Sequence, residues 1–431
     1  MRKTRQNKNL EKGVEVIFES PAEKSFFFGY YNYSPMNRDG NKLLAHKASF
    51  EGRMPNADDT VEIGYFDLEN NNKWNVLGRS NAFNWQQGAM LQWLGPDFNS
   101  QVIFNDVEND RFVSRIVNIH TNEIRTIQHA VYGLSPNGEF SISLNFERCY
   151  WTRAYSYAPI VDQSWNKRIP EEDGIVKINL DTGQKESIVK IKNFLKMQGI
   201  EDDGNTSHWF EHIMLNPDGT RFAFYHRYGS DDAYLTSLYT ADINGGSIWK
   251  HPMQEEVRFS HLGWRDKDHY VLFSNPKTKA IKWIGSNKKS YAKNFIRWCY
   301  RRTLKPFIKE KPFSKVVKNS HYALTRDRDR VIEKINFDML SRDGHPSFTR
   351  DGKYMLSDTY QDGDNYRHLL LCDMVMKRCK KLGSFFSTYN NCGWRADLHP
   401  RFSPDERYVI VDSTHNGYHQ IIVLKMNYKI I

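Results

Sequence analysis

Long apolar runs are missing from this chain. No stretch reaches the roughly 18 to 20 apolar residues that cross a bilayer as a helix, and the amino-terminal MRKTRQNKNLEKG lacks the apolar core of a secretory signal. The expectation is a cytoplasmic protein. Cysteine is scarce too: Cys149, Cys299, Cys372, Cys379 and Cys392 are scattered, odd in number and include no CxxC pair. That excludes a disulfide framework and a cysteine-based zinc site, and it suits a reducing compartment. Helical periodicity is nearly absent, and short strand-length runs take its place.

The formal net charge of +10 at pH 7 is not spread along the chain. Residues 288 to 318 hold eleven lysines and arginines against Glu310 alone, which accounts for the whole excess. An anionic partner drawn by net charge would meet this one segment. Within it, Phe295, Ile296 and Trp298 sit beside Arg297, Arg301 and Arg302, and Pro306 and Pro312 punctuate its second half. The segment, bounded at 285–325, reads as a basic amphipathic helical insert. It suits an anionic membrane surface, which would place the protein peripherally at the inner membrane face, or an acidic polysaccharide. A solvated excursion on the rim is the plainer alternative. No nucleic-acid-binding module surrounds it, so no nucleic acid partner is expected.

What is present is a repeat. Seven times a short apolar strand leads into a Pro-Asp-Gly-like turn and a second strand. The turns are Ser34-Pro35, Gly95 to Asp97, Ser135 to Gly138, Asn216 to Gly219, Arg265-Asp266, Arg350 to Gly352 and Ser403 to Asp405. Proline presets φ for the first turn position, and Asp, Asn or Gly tolerate the next. The strands after these turns, such as KLLAHKA, RFAFYHR and RYVIVDS, are rich in β-branched and aromatic residues, and a third strand often comes next. Several strands per unit, seven times over, predict an all-β fold: a single seven-bladed β-propeller over residues 1–431, with the basic insert between blades five and six. The chain ends soon after the third strand of the seventh unit, so GVEVIFES is expected to complete that blade and close the ring.

Four histidines occupy one column of this repeat. His212, His261, His345 and His399 each lie five residues before the turn's Pro or its equivalent, at the start of an innermost strand. The chain has 15 histidines in all, and four in one column of consecutive blades points to a shared site at one mouth of the channel. Imidazoles converging from rigid strands suit a divalent metal ion, Mn²⁺ or Zn²⁺ above all. Hydrogen-bonded channel fillers are the alternative, and whether His212 is a ligand or a base stays open. Topology brings further residues to that face: Tyr30 and Tyr31, Trp85 to Gln87, the loop after Asn145 with Arg148, Arg153 and Tyr155, His208 and Trp209, His226 to Tyr228, and His415 and His419. Aromatic platforms interleaved with arginines suit an acidic sugar, the rings covering its apolar face and a guanidinium gripping its carboxylate.

The repeats HIMLNPDG, HLGWRD, HPSFTRDG and HPRFSPD, together with GYYNYSP and NWQQGAMLQWLG, resemble the oligogalacturonate lyases and the related propeller ulvan lyases. The resemblance implies metal-assisted β-elimination on uronate-containing oligosaccharides. It makes His261, His345 and His399 metal ligands and His212 a ligand or base. Arg227 and Arg153 would bind carboxylate, and His208 or Tyr155 would handle protons. Where ulvan-type enzymes are expected to carry proton-transfer histidines, this chain has Gln86, Gln87, Asn105 and Asp106. The alternative is therefore a non-catalytic glycan- or protein-binding propeller in surface-polysaccharide metabolism, docked to membrane by its basic insert.

Overall fold

The computed structural model describes residues 7–160, 167–230, 233–252, 257–276, 320–390 and 392–426. Seven antiparallel sheets succeed one another along the chain. Their innermost strands are Ser25–Phe27, Gln92–Trp93, Gly133–Leu134, Ser207–Leu215, Val257–Trp264, Ser347–Phe348 and Arg401–Phe402, one at the channel edge of each sheet. This is the expected seven-bladed β-propeller. Helix is confined, among the described residues, to the 3-10 segment Phe146–Tyr155 and the α-helix Ile191–Met197.

Blades pack face to face, so their second strands are covered on both sides and read as continuous apolar runs. Tyr408–Ser413 is buried at every position after its first. At the joints, the end of a second strand pins the next blade by side chain to backbone. His46 accepts from the Ala89 N–H (2.9 Å), Asn105 from Val131 (2.8 Å), Asp358 from His399 (3.2 Å) and Asp412 from Phe28 (2.9 Å). These bonds spend buried backbone donors that the twisted ring leaves unpaired. In three of these joints the pinned residue, Ala89, Val131 or His399, stands just before an inner strand, so the bond also fixes where that strand starts.

The ring closes as anticipated. Val14–Glu19 pairs with Gln420–Met426 as the outer strand of blade seven. A further strand, Lys8–Leu10, pairs with Arg378–Phe386 and adds a fifth strand to blade six, capping an outer edge that would otherwise be open to other chains.

Three expectations are corrected. The first hairpin turns at Asn37 to Lys42, with Gly40 in the left-handed region, and not at Ser34-Pro35, which precede the bridge between Met36 and Leu43. Cys372 and Cys379 are directly opposed on neighbouring strands of blade six and form a disulfide; their spacing of seven gave no hint of that register. The insert does not separate blades five and six. His321–Arg326 pairs with His269–Pro276 as the third strand of blade five, so the interruption falls inside that blade, and residues 321–325 are strand. Residues 288–318 themselves, with the expected helices, lie outside the described residues.

Candidate functional site

The column histidines divide into two groups. His261, His345 and His399 touch in series, with ring centroids 4.0 Å apart between the first two and 4.3 Å between the last two. His212 lies on the other side of Tyr30, whose ring is 5.3 Å from both His212 and His399. His212 and His399 both have left-handed backbone, with φ of 58° and 44°. For a non-glycine residue this costs of order 1–3 kcal/mol and persists where surrounding structure enforces it, commonly at functional sites.

In the first group each imidazole is oriented through Nδ1. His345 is held by Asp358 at 2.8 Å, His261 by Asp343 at 3.1 Å, and His399 donates to the Gly29 carbonyl at 2.8 Å. Such contacts set tautomer and direction, leaving Nε2 for a ligand. His399 Nε2 is buried and has no hydrogen-bond partner. Burial pushes His345 and His399 well below the ordinary imidazole range, so both are neutral. Burial disfavours charge on His261, but Asp343, Asp397 and Asp358 together outweigh that and raise the ring. Burial, with the charge of Asp397 added, lifts the Asp358 carboxyl to about 6.

Asp397 completes the group. One oxygen of its carboxylate and one nitrogen each of His345 and His399 lie within 4.8 Å of one another. Burial alone would raise its pKa, but Arg395 and Arg367 hold it far below the usual carboxylate range. Arg367 reaches one oxygen at 2.7 Å and Arg395 the other at 2.9 Å. Two neutral imidazoles and an ionised carboxylate are a donor set that a divalent cation accepts, with His261 beside them. The guanidiniums share the carboxylate.

Across Tyr30, Glu211 organises the second group. It accepts from Trp209 Nε1 at 2.9 Å, pairs with Arg227 at 2.8 Å and lies 3.3 Å from His212 Nδ1. Burial, helped by the charge of Arg227, lowers His212 to about 4 although Glu211 opposes it. The Tyr155 ring meets His212 edge-on at 4.6 Å, and burial raises its hydroxyl, which stays protonated. Here a neutral imidazole backed by a carboxylate, a phenol and a guanidinium face one another.

The resulting fold can be placed among known ones. The chain is similar to the solved structure of an oligogalacturonate lyase in complex with manganese, at 15% identity and a TM-score of 0.64 over 98% of this chain and 97% of that one. An oligogalacturonate lyase from Vibrio parahaemolyticus matches at 15% identity and a TM-score of 0.59 over the same shares. This chain shares their seven-bladed propeller fold. No family model matches it, and no curated protein matches it in sequence.

Of the residues singled out from sequence, His261, His345, His399, His212, Arg227 and Tyr155 gather at this mouth. His212 is not beside the other three, because Tyr30 intervenes. His208 is set apart. Its Nδ1 is 3.0 Å from His226 Nε2, the two rings stack, and Phe194 packs against His226 in the joint between blades three and four. His208 and Phe210 share the strand face opposite to Trp209 and Glu211, which is why the alternation carries His208 away. Arg153 falls in the 3-10 segment, and its side chain lies outside the described residues. His419 stacks on Trp85 at 4.2 Å and pairs with Glu51, while His415 pairs with Glu19. Gln86 and Gln87 donate to the Arg395 carbonyl and the Tyr132 hydroxyl. Sequence reasoning missed Asp343, Asp358, Asp397, Glu211, Arg367 and Arg395. Two of these carried a signal: DGHPSF and DLHPRF both place Asp two residues before a column histidine.

Proposed function

We propose that the chain is a polysaccharide-lyase-like enzyme that cleaves uronate-containing oligosaccharides by β-elimination. The observation that carries this reading is the pairing, across Tyr30, of an oriented His345–His399–Asp397 donor set with a neutral, carboxylate-backed His212. The neighbouring structure's manganese supports a divalent metal at the first group, held by His345, His399 and Asp397 with His261 adjacent. A bound divalent cation would offset the charge of the uronate carboxylate and so acidify C5–H.

His212 is deprotonated at neutral pH and accepts the C5 proton; Glu211 then stabilises the imidazolium. The electron pair forms the C4–C5 double bond as the C4–O bond breaks, and the protonated Tyr155 hydroxyl gives its proton to the departing oxygen. Arg227, fixed by Glu211, presents a guanidinium toward the substrate carboxylate. Tyr30 and Tyr31 floor the site and separate the two groups.

A specific observation favours a second reading, a propeller that binds acidic glycan without turnover: Arg367 and Arg395 already occupy both oxygens of Asp397. Here the basic segment matters, since His269–Pro276 ends and His321–Arg326 begins at the histidine-bearing end of blade five. An acidic polymer or the inner membrane face would then be met at that end, in the cytoplasm.

The test is metal content of the purified chain beside a His345→Ala, His399→Ala double variant, combined with ultraviolet absorbance of unsaturated product with uronate oligomers. Stoichiometric metal lost in the variant, with rising absorbance in the wild type but not in His212→Ala, is the expected result. Oligomer binding without absorbance under any divalent metal would replace the lyase by the binding propeller.

A further inference from the structure

Two arginines hold Asp397, and they are themselves held very differently. Arg367 stands on the strand Tyr366–Asp373 with its side chain 2% exposed. Besides its approach to Asp397 it donates from Nε to Ser387 Oγ at 3.3 Å and from Nη2 to Gln361 Oε1 at 3.1 Å. It cannot turn away without leaving buried donors unmade. Arg395 comes from the connection between blades six and seven, and its side chain is 17% exposed. Its side-chain partners are close in the chain: Nε donates to Asp397 Oδ1 at 3.2 Å and Nη1 to the Cys392 carbonyl at 3.2 Å. Nη2 lies 2.9 Å from Asp397 Oδ2, yet that oxygen receives no aligned hydrogen bond, so charge alone keeps the two together.

The main chain of Arg395, by contrast, is fixed. Its N–H donates to the Cys392 carbonyl at 3.4 Å, and its carbonyl accepts from Gln86 Nε2 at 2.7 Å. Asn84, in the same turn as Gln86, donates to the Tyr155 carbonyl at 3.3 Å. One turn therefore ties Arg395 to the group of His212 and Tyr155, while its guanidinium rests on the carboxylate of the other group. A side chain with a fixed root and local partners can exchange them by rotating about its own bonds. A divalent cation held by His345, His399 and Asp397 would compete with that guanidinium, because two positive charges drawn to one oxygen repel each other.

We propose, on the basis of the lyase reading of this mouth, that Arg395 is an exchangeable counter-ion. It neutralises Asp397 in the metal-free chain, yields Oδ2 to a divalent cation and turns its guanidinium to the carboxylate of an acidic saccharide. Arg367 stays in place and keeps Asp397 ionised. Metal and acidic saccharide then strengthen each other's binding, since both favour the turned arginine. Arg395 thereby sets specificity for a charged sugar and takes no part in proton transfer.

Calorimetric titrations of the full chain with Mn²⁺ and with glucuronate, which has no glycosidic bond to cleave, test this in the wild type and in Arg395→Gln. Removal of the competing cation should tighten Mn²⁺ about tenfold, while the Mn²⁺-loaded variant should bind glucuronate about tenfold more weakly than the loaded wild type. Damage to the fold would weaken both, so the opposite signs identify the exchange. Arg395→Lys, which keeps a cation but not the fork, should give the same opposed pair at smaller size, and unfolding midpoints establish that both variants fold. Mn²⁺ affinity unchanged or weaker in Arg395→Gln, glucuronate affinity that survives the substitution, or no glucuronate binding by the loaded wild type would overturn the exchange and leave the metal reading intact. Mn²⁺ binding by neither protein would overturn the metal reading of this mouth and this inference with it.

Discussion

Blade one and blade seven each carry a buried histidine whose Nδ1 donates to a backbone carbonyl, and the two rings differ in what remains. His46 gives Nδ1 to Phe27 and uses Nε2 to accept from Ala89, so both nitrogens are spent on the joint between blades one and two. His399 gives Nδ1 to Gly29 and leaves Nε2 buried and unpartnered. Burial is the same; satisfaction is not. A fully satisfied imidazole is cement, whereas one held by a single nitrogen in a left-handed backbone is a group kept ready for something else.

The sharpest way to break this comparison is to remove the cement. His46→Ala removes the ring's bonds to the Phe27 carbonyl and the Ala89 N–H and opens a cavity against Gly88, whose Cα position lies against this ring. A loss of about 3–4 kcal/mol in denaturant unfolding is expected. A loss under about 1 kcal/mol would show that the joint does not depend on the ring.

Acid sharpens it next. Burial holds His46 and His251 at about 4, against an ordinary 6.5. Because the folded pKa is the lower one, the unfolded chain takes up protons first. The stability is complete above about pH 6.5 and is lost as pH falls from there toward 4, by up to about 3 kcal/mol per histidine. Urea unfolding at pH 7.5 and pH 5 should show this fall, and His46→Gln should make it shallower.

The smallest effect belongs to the other member of the pair. His399→Gly removes one hydrogen bond and vacates a buried ring, but it relieves a left-handed non-glycine conformation, so the loss should be about 1–2 kcal/mol and smaller than in His46→Ala. If it falls as far as in His46→Ala, the distinction between cement and ready ligand fails.

Much of the fold was legible because propeller blades repeat local rules. Turn chemistry recurs at Asn216 to Gly219 and Ser403 to Asp405, strand-length apolar runs come after, and a leftover strand at the amino terminus pairs where the seventh unit lacks one. The histidine column was legible for the same reason, since equal position in a repeat means equal position in space. Asp358, Arg367 and Arg395 were not. They reach the site from second strands, third strands and connecting loops, where no repeat register marks them.

Local sequence therefore determined the blades, their number and which histidines lie on or just before inner strands, because turn and strand preferences act over a few residues; His212 and His261 fall inside the longer inner strands Ser207–Leu215 and Val257–Trp264 and not at their starts. Tertiary structure alone decided that Tyr30 parts His212 from the other three, that Asp397 is the carboxylate that joins His345 and His399, that His208 turns into a blade joint and that Cys372 meets Cys379. These depend on strand register, on which face each side chain takes and on ring closure, which are set by packing the whole circle at once, whether the partners are seven positions apart like Cys372 and Cys379 or hundreds apart like Tyr30 and His399.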